Sequence, residues 1–308
     1  MIRIAVVGAG QFGQNHCRVV RQSPRAELAA VVDIDPARAA IRDYRELDGK
    51  VDAAIVAAPT AAHAEIGCWL MDHGIDVLVE KPIAPDLESA ARLVKTAART
   101  GRILQVGHLE RFNPAVAALE ERASVPLFFE IHRLSVFSPR SLDVDVILDL
   151  MIHDIDIILA LTRAEPSEIR AAGISILSGK VDIANARLQF ANGCVANLTA
   201  SRVSTERVRK LRLFQPRQYV SLDYQRQELV IFSVSENRQI SFQPVALAKA
   251  EPLQLQFDAF LNAIQTRKSP RTSGEAAHQT LRVALSIIDK IKEHAEIVSQ
   301  TLVGGWKH

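Results

Sequence analysis

Cysteine is scarce in this chain of 308 residues: Cys17, Cys68 and Cys194 are far apart and odd in number. They offer neither a disulfide framework nor a paired metal site, and they predict a reducing, cytoplasmic setting with no bound metal. Net charge is nearly lacking too. A formal +2, from 37 basic and 35 acidic residues, is too small to argue for nucleic acid or an anionic membrane. Long apolar runs are missing: Val51 to Met71 is broken by Pro59, His63 and Glu65, so no span reaches the roughly twenty residues a membrane helix needs. No basic-then-apolar leader precedes Ile2, and a signal peptide is not expected. Repeats and low-complexity tracts are absent as well. What is present is an ordinary globular composition, 48% apolar and 23% charged, long enough for two domains.

The clearest signal is the first stretch. An apolar run, Ile4 to Val7, leads into Gly8-Ala9-Gly10-Gln11-Phe12-Gly13, a helical pattern follows, and a second apolar run ends at Asp33. That is the length and order of a βαβ unit. Gly8 permits the tight turn, Gly10 lets a pyrophosphate approach the backbone, and Gly13 lets the helix pack closely on the sheet. Asp33 follows Gly13 by twenty residues, where a carboxylate accepts from the adenosine ribose hydroxyls. It would repel a 2′-phosphate, and Ile34 supplies no basic partner, so the expected cofactor is NAD.

Further on, Pro36 opens an expected helix to about Leu47, and Val51 to Ala58 is a continuous apolar strand covered on both faces. It ends at Pro59-Thr60, with His63 one turn on; strand ends of this kind face the ligand in an open α/β sheet. A helix from Ala64 to His73, a strand Asp76 to Val79, a helix Leu87 to Thr100 and a strand Ile103 to Val106 complete a parallel sheet. Beyond Pro114 a helix near Ala115 to Arg122 gives way to eight short alternating segments between Leu127 and Phe242, predicting a large, mostly antiparallel sheet with one wet face. Asn192-Gly193 reads as a hairpin turn within it. Helices near Leu253 to Thr266 and Glu275 to Glu296 finish the chain. The expected division is a Rossmann domain over 1–118 and an α/β domain over 119–308.

Two places carry candidate chemistry. Lys81 stands at a strand end between Glu80 and Pro82, where the proline restricts it to extended conformations. An amine beside an oxidised nicotinamide is disfavoured as a cation and suited to act as a base; taken alone, Lys81 reads more readily as a solvated loop lysine. Asp149, His153 and Asp156 share one face of an expected helix whose other positions are so apolar that it should be buried nearly all round. A carboxylate and an imidazole there need partners or a task, and an Asp cap with a satisfied core histidine is the competing account.

The glycine turn with Asp33, then Glu80-Lys81-Pro82, then Asp149 with His153, in this order and spacing, resemble the Gfo/Idh/MocA family of oxidoreductases along the whole chain. The resemblance implies a Rossmann domain followed by an α/β domain whose open sheet often forms an oligomer interface, here a homodimer or homotetramer. It implies catalytic roles for Lys81, Asp149 and His153, and cofactor contacts at Gly8, Gly10, Gln11, Phe12, Gly13, Asp33, Ile34, Thr60, His63, Glu80 and Lys81. The implied reaction is oxidation of a sugar secondary alcohol, with Lys81 or His153 taking the hydroxyl proton and Asp149 orienting the imidazole.

The substrate is read from Arg111 and Asn113, from Arg133 with Arg140, and from the basic run Arg202, Arg207, Arg209, Lys210, Arg212 and Arg217. These resemble the family branch that oxidises UDP-N-acetylhexosamines at the 3-position, whose ketone a PLP aminotransferase converts to a 3-amino sugar for lipid A. Arginine forks suit a diphosphate; a solvated strand face is the other account of the basic run. Arg111, Asn113, Arg133, Arg140 and His153 are the expected substrate contacts. A dehydrogenase of free sugars or inositols and a non-catalytic NAD-dependent sensor are the alternatives.

Overall fold

The structure is a computed structural model that describes residues 1–137 and 144–303; Arg140 lies outside the described residues. Contacts divide the chain into two compact units, 1–112 with 250–281 and 113–249 with 282–308.

The first unit is built on a parallel sheet of five strands in the order β2-β1-β3-β4-β5. These are β1 (Ile2–Val7), β2 (Ala26–Val32), β3 (Ala53–Val56), β4 (Asp76–Val79) and β5 (Leu104–Val106), joined by α1 (Gln11–Gln22), α2 (His63–Asp72) and α3 (Leu87–Thr100). β3 and β4 are buried at every position, as a sheet covered on both faces requires. Gly101, at φ +65°, ends α3 in the left-handed conformation that glycine adopts without strain. The helix expected from Pro36 does not form. The backbone turns instead on its own aspartates: Asp33 accepts from the Asp35 amide (2.9 Å) and Asp35 from the Ala37 amide (3.0 Å), and a 3₁₀ turn over Tyr44–Leu47 is all that follows. Short acidic side chains compete in this way with helix hydrogen bonds.

Residues 250–281 complete this unit. Leu253, Phe257, Phe260 and Leu261 of α6 (Pro252–Thr266) enter the core formed by Ile4, Val6, Val20 and Ile55. Arg267 binds Asp76 through its two terminal nitrogens, at 2.6 and 3.1 Å, and Thr272 exchanges hydrogen bonds with Val106.

The second unit holds an eight-stranded sheet ordered β13-β12-β11-β10-β6-β9-β8-β7. It comprises β6 (Phe128–Val136), β7 (Pro166–Ile174), β8 (Ile183–Phe190), β9 (Val195–Ser204), β10 (Val208–Gln215), β11 (Gln218–Asp223), β12 (Glu228–Val234) and β13 (Ile240–Pro244). All its pairings are antiparallel except β6 with β9. All eight expected segments are strands, and Gly193 (φ +84°) turns the β8–β9 hairpin. One sheet face packs on α4 (Pro114–Arg122), α5 (Ile152–Thr162) and part of α7 (Gly274–Val303), with Phe129, Ile131, Leu198 and Leu211 among the buried side chains. The opposite face carries a row of rings across five strands, Phe128, Phe214, Tyr219, Phe232 and Phe242, with neighbouring centroids 4.9–5.8 Å apart.

Candidate active site

In the first unit the glycine turn has the shape its sequence implies. Gly8 has φ +95°, and a Cβ on it would stand 2.6 Å from the Ala57 and Ala58 backbone; one on Gly13 would stand 1.8 Å from the Gly8 carbonyl oxygen. Gly10 differs. Around its missing Cβ the first neighbour is an Arg38 nitrogen at 4.0 Å, which leaves the loop open. Gly10 is also the N-cap of α1, with no side-chain cap and no acidic residue in the first turn, so the leading amides and the positive helix end suit a diphosphate.

Beside the turn, at the carboxyl ends of β1, β2 and β3, a cleft of about 300 Å³ is lined by Gly8, Asp33, Ile34, Arg42, Tyr44 and Pro59, among others. Its size and place suit an adenosine. Asp33 accepts the Ala9 amide at 2.6 Å, so the carboxylate also braces the glycine turn from below. Tyr44 donates to Glu65 at 2.8 Å; burial and that carboxylate push its hydroxyl up to about 12. Arg42 and Tyr44 were not among the expected contacts, because they lie beyond the acidic residue in a stretch read as a helix.

Around Lys81 the structure gathers three buried groups. Glu80 presents Oε1 to His16 Nε2 at 2.7 Å and accepts the Lys81 amide on Oε2 at 3.2 Å. His63 is 1% exposed; its ring lies between two carbonyl oxygens, Ala58 at 2.8 Å from Nε2 and Pro82 at 3.0 Å from Nδ1. Burial lowers its pKa, and a neutral ring donates to one of the two. The Lys81–Pro82 peptide is cis, and the lysine side chain is half-buried. Thr60 opens a 3₁₀ turn, Thr60–Ala62, just before His63. Phe12 is 43% and Ile34 88% exposed, and Gln11 is exposed too.

In the second unit, Asp149 stands on a π-helical turn, Ile147–Met151, that runs directly into α5, where His153 follows. The segment is therefore not the regular helix expected; turns of this kind recur at functional sites. Both side chains are half-buried, whereas Asp154 and Asp156 are 1% and 2% exposed. Asp154 takes a two-pronged ion pair from Arg133, at 2.7 and 2.8 Å, and accepts the Tyr224 hydroxyl at 3.1 Å. Arg133 also lies over the Tyr224 ring, 4.8 Å from its centroid. This buried pair grips the first turn of the helix that carries His153, a role that spacing within one segment does not reveal. Asn113 caps α4 through the Ala115 amide (3.0 Å) and donates to the Tyr224 carbonyl (2.9 Å). Arg111, 8% exposed, belongs to the first unit, on the 3₁₀ turn Leu109–Phe112.

The basic run does not form one patch. Strand alternation sends Arg212 to the open face, where it pairs with Glu130 at 2.9 Å, while Arg209 stands opposite the buried Arg133. Arg217 reaches Glu236 at 3.5 Å, and Arg202 is buried beside Asp182. Burial alone would raise the Asp182 carboxyl, but the Ser178 hydroxyl and the amides of residues 176–178 hold it well below the usual range. Among the described residues no cluster of three or more metal-ligating side chains forms, and no helix is long and apolar enough to cross a membrane.

Residues 2–108 match the profile of an oxidoreductase family with an NAD-binding Rossmann fold, and residues 130–217 match the GFO/IDH/MocA C-terminal domain. The chain belongs to the Gfo/Idh/MocA family. It is 35% identical over 302 residues, 93% of this chain and 96% of the relative, to UDP-N-acetylglucosamine 3-dehydrogenase of Acidithiobacillus ferrooxidans. A solved structure of that enzyme superposes with a TM-score of 0.90, covering 95% of this chain and 98% of the other. An inositol 2-dehydrogenase of an Arthrobacter species is 32% identical over 190 residues, 55% of this chain and 56% of that protein. The apo scyllo-inositol dehydrogenase of Lactobacillus casei shares the fold at TM-score 0.80 and 18% identity, covering 96% of this chain and 97% of that one. The family accounts for both sheets, and NAD is the cofactor its Rossmann part accommodates.

Proposed function

We propose that this chain is an NAD-dependent dehydrogenase that converts the 3-hydroxyl of UDP-N-acetylglucosamine to a ketone. The observation that carries the reading is the similarity to the Acidithiobacillus enzyme along nearly the full length of both chains. Bound NAD would accept the carbinol hydride. Gly8, Gly10 and Gly13 shape the turn toward the diphosphate, with Gln11 and Phe12 beside it, and Asp33 and Ile34 meet the adenosine ribose. Lys81 takes the hydroxyl proton, with His153 as the alternative first acceptor or its relay, and Asp149 orients the imidazole. Thr60, His63 and Glu80 support the cofactor end of this site. Arg111 and Arg140 are the arginines proposed to meet the substrate diphosphate. Arg133 and Asn113 support the reading through the elements they anchor.

The ketone suits a PLP-dependent aminotransferase that installs a 3-amino group on a lipid A precursor, and the setting is the cytoplasm. We read the open aromatic face as the contact surface of a homodimer or homotetramer. An inositol dehydrogenase is the second reading, favoured by the 32% identical relative; an NAD-dependent sensor is the third.

The experiment incubates the protein with NAD and a panel of UDP-sugars and inositols, following NADH absorbance and product mass. NADH formed with UDP-N-acetylglucosamine, a product lighter by two hydrogens, and competition by UDP alone support the reading. Turnover of inositols without UDP competition favours the second reading; tight NAD binding with no turnover favours the third. Lys81→Ala and His153→Ala are each expected to lose about 10²- to 10⁴-fold in kcat, the usual worth of a positioned base, with NAD binding retained.

A further inference from the structure

We propose that His16 and Glu80 are a buried positioning pair that fixes the backbone at Lys81 and so the direction in which its amine is presented. The inference rests on the reading of Lys81 as the proton acceptor. His16, on the helix that leaves the glycine turn, is 1% exposed, and Glu80 is 9% exposed. The two oxygens of that carboxylate have separate tasks. Oε1 meets His16 Nε2 at 2.7 Å, and Oε2 accepts the Lys81 amide at 3.2 Å. Gly107, just past β5, leaves the space: a Cβ there would lie 2.6 Å from Oε2 and 2.8 Å from Oε1. The turn after β5, the end of β4 and α1 are thus shaped around one carboxylate.

Among the described residues, His16 Nδ1 is buried without a hydrogen-bond partner, so the ring serves Glu80 through Nε2, with the edge of Phe12 packed against it at 5.6 Å. A buried polar pair is weak evidence for stability, since apolar residues of like volume often replace one without loss. Its position next to Lys81 supplies a reason for it. On the far side of Lys81, the His63 ring lies with Nδ1 3.0 Å from the Pro82 carbonyl. The Lys81 amide is thus held by Glu80, and the carbonyl of the next residue lies against a second buried imidazole; a small displacement of a reacting group costs rate out of proportion to its size.

The test uses the intact protein with NAD and UDP-N-acetylglucosamine and compares His16→Leu, Glu80→Ala, their double variant, Glu80→Gln and Lys81→Ala. A positioning pair gives a kcat loss of about thirtyfold in His16→Leu and Glu80→Ala, with sugar KM within about threefold in both and NAD Kd within about threefold in His16→Leu, because orientation and not affinity is disturbed. The double variant is no worse than either single, as residues acting as one unit require. Glu80→Gln recovers part of the rate: its oxygen still accepts from Lys81, while its NH2 faces His16, whose buried Nδ1 offers no acceptor for the proton displaced onto it. A second readout needs no turnover: hydrogen exchange at the Lys81 amide quickens in His16→Leu and Glu80→Ala and stays slow in Glu80→Gln. If kcat per NAD-binding site and Lys81 exchange are unchanged while Lys81→Ala is inactive, the inference is overturned and Lys81 keeps its role. Turnover retained in Lys81→Ala removes the proposed base and the inference with it. Should Glu80→Ala yield no soluble protein, His16→Leu and Glu80→Gln decide by the same two readouts.

Discussion

Asp33 illustrates how one side chain serves two ends. Its carboxylate faces the adenosine cleft and also accepts the Ala9 amide within the glycine turn. Asp33→Asn should therefore weaken NAD binding. With Arg42 lining the same cleft, it should also move the NADP-to-NAD ratio of kcat/KM upward by about tenfold, equivalent to ~1.4 kcal/mol; steady-state kinetics with both cofactors check this. Gly13→Ala should abolish cofactor binding, because its methyl would fall on the Gly8 carbonyl. His63 carries a pH signature. Its pKa is depressed by burial, so the unfolded chain, near about 6.5, binds the proton more readily. Stability should fall as pH drops below that value, until the folded ring also protonates. His63→Gln should flatten that limb of a plot of Tm against pH. At this scale the sequence displayed the glycines, Asp33 and Lys81 plainly, since a tight turn and a strand end restrict which residues fit. It concealed His16, whose only mark is an imidazole on the packed side of an otherwise ordinary amphipathic helix.

Among the elements, regular ones were the easiest to read. Strand β12 and helix α3 fall on their expected residues because alternation, an Asp cap and a terminal glycine mark them. The segment after Asp33 failed for the opposite reason, as aspartates capture amides that a helix would need. The turn at Asp149 was illegible for another: apolar periodicity does not distinguish a π turn from an α turn over so few residues. Helix α5 rests on the Arg133–Asp154 pair, both side chains 2% exposed. Asp154→Ala removes the two-pronged ion pair from a buried guanidinium and should cost about 3–5 kcal/mol in urea unfolding. Replacing both residues by apolar ones of similar volume should cost far less. His153 in the single variant should lose its setting, and turnover should fall further than stability alone explains.

For the molecule as a whole, the sequence indicated a parallel and an antiparallel sheet but not which core each late helix joins. An amphipathic face states that a helix packs, not where. Phe257 and Phe260 of α6 fill the parallel-sheet unit, so a fragment of residues 1–112 alone should lack cooperative unfolding by calorimetry, and adding 250–281 in trans should restore some order. The row of rings from Phe128 to Phe242 belongs to this scale too. Phe232→Glu should lower the mass seen by light scattering while the far-UV spectrum is kept; an unchanged mass would remove that face from any assembly.

The return of residues 250–281 also bears on how the protein is made. A nascent chain leaves the ribosome in order, and the cofactor-binding half begins first yet lacks part of its core until the whole eight-stranded sheet has emerged. Domains usually fold as they appear; here the earlier one must wait for the later, with Ile4, Val6 and Ile55 uncovered meanwhile. Slowing translation between residues 113 and 249 should therefore lower the yield of active protein and increase its dependence on chaperones.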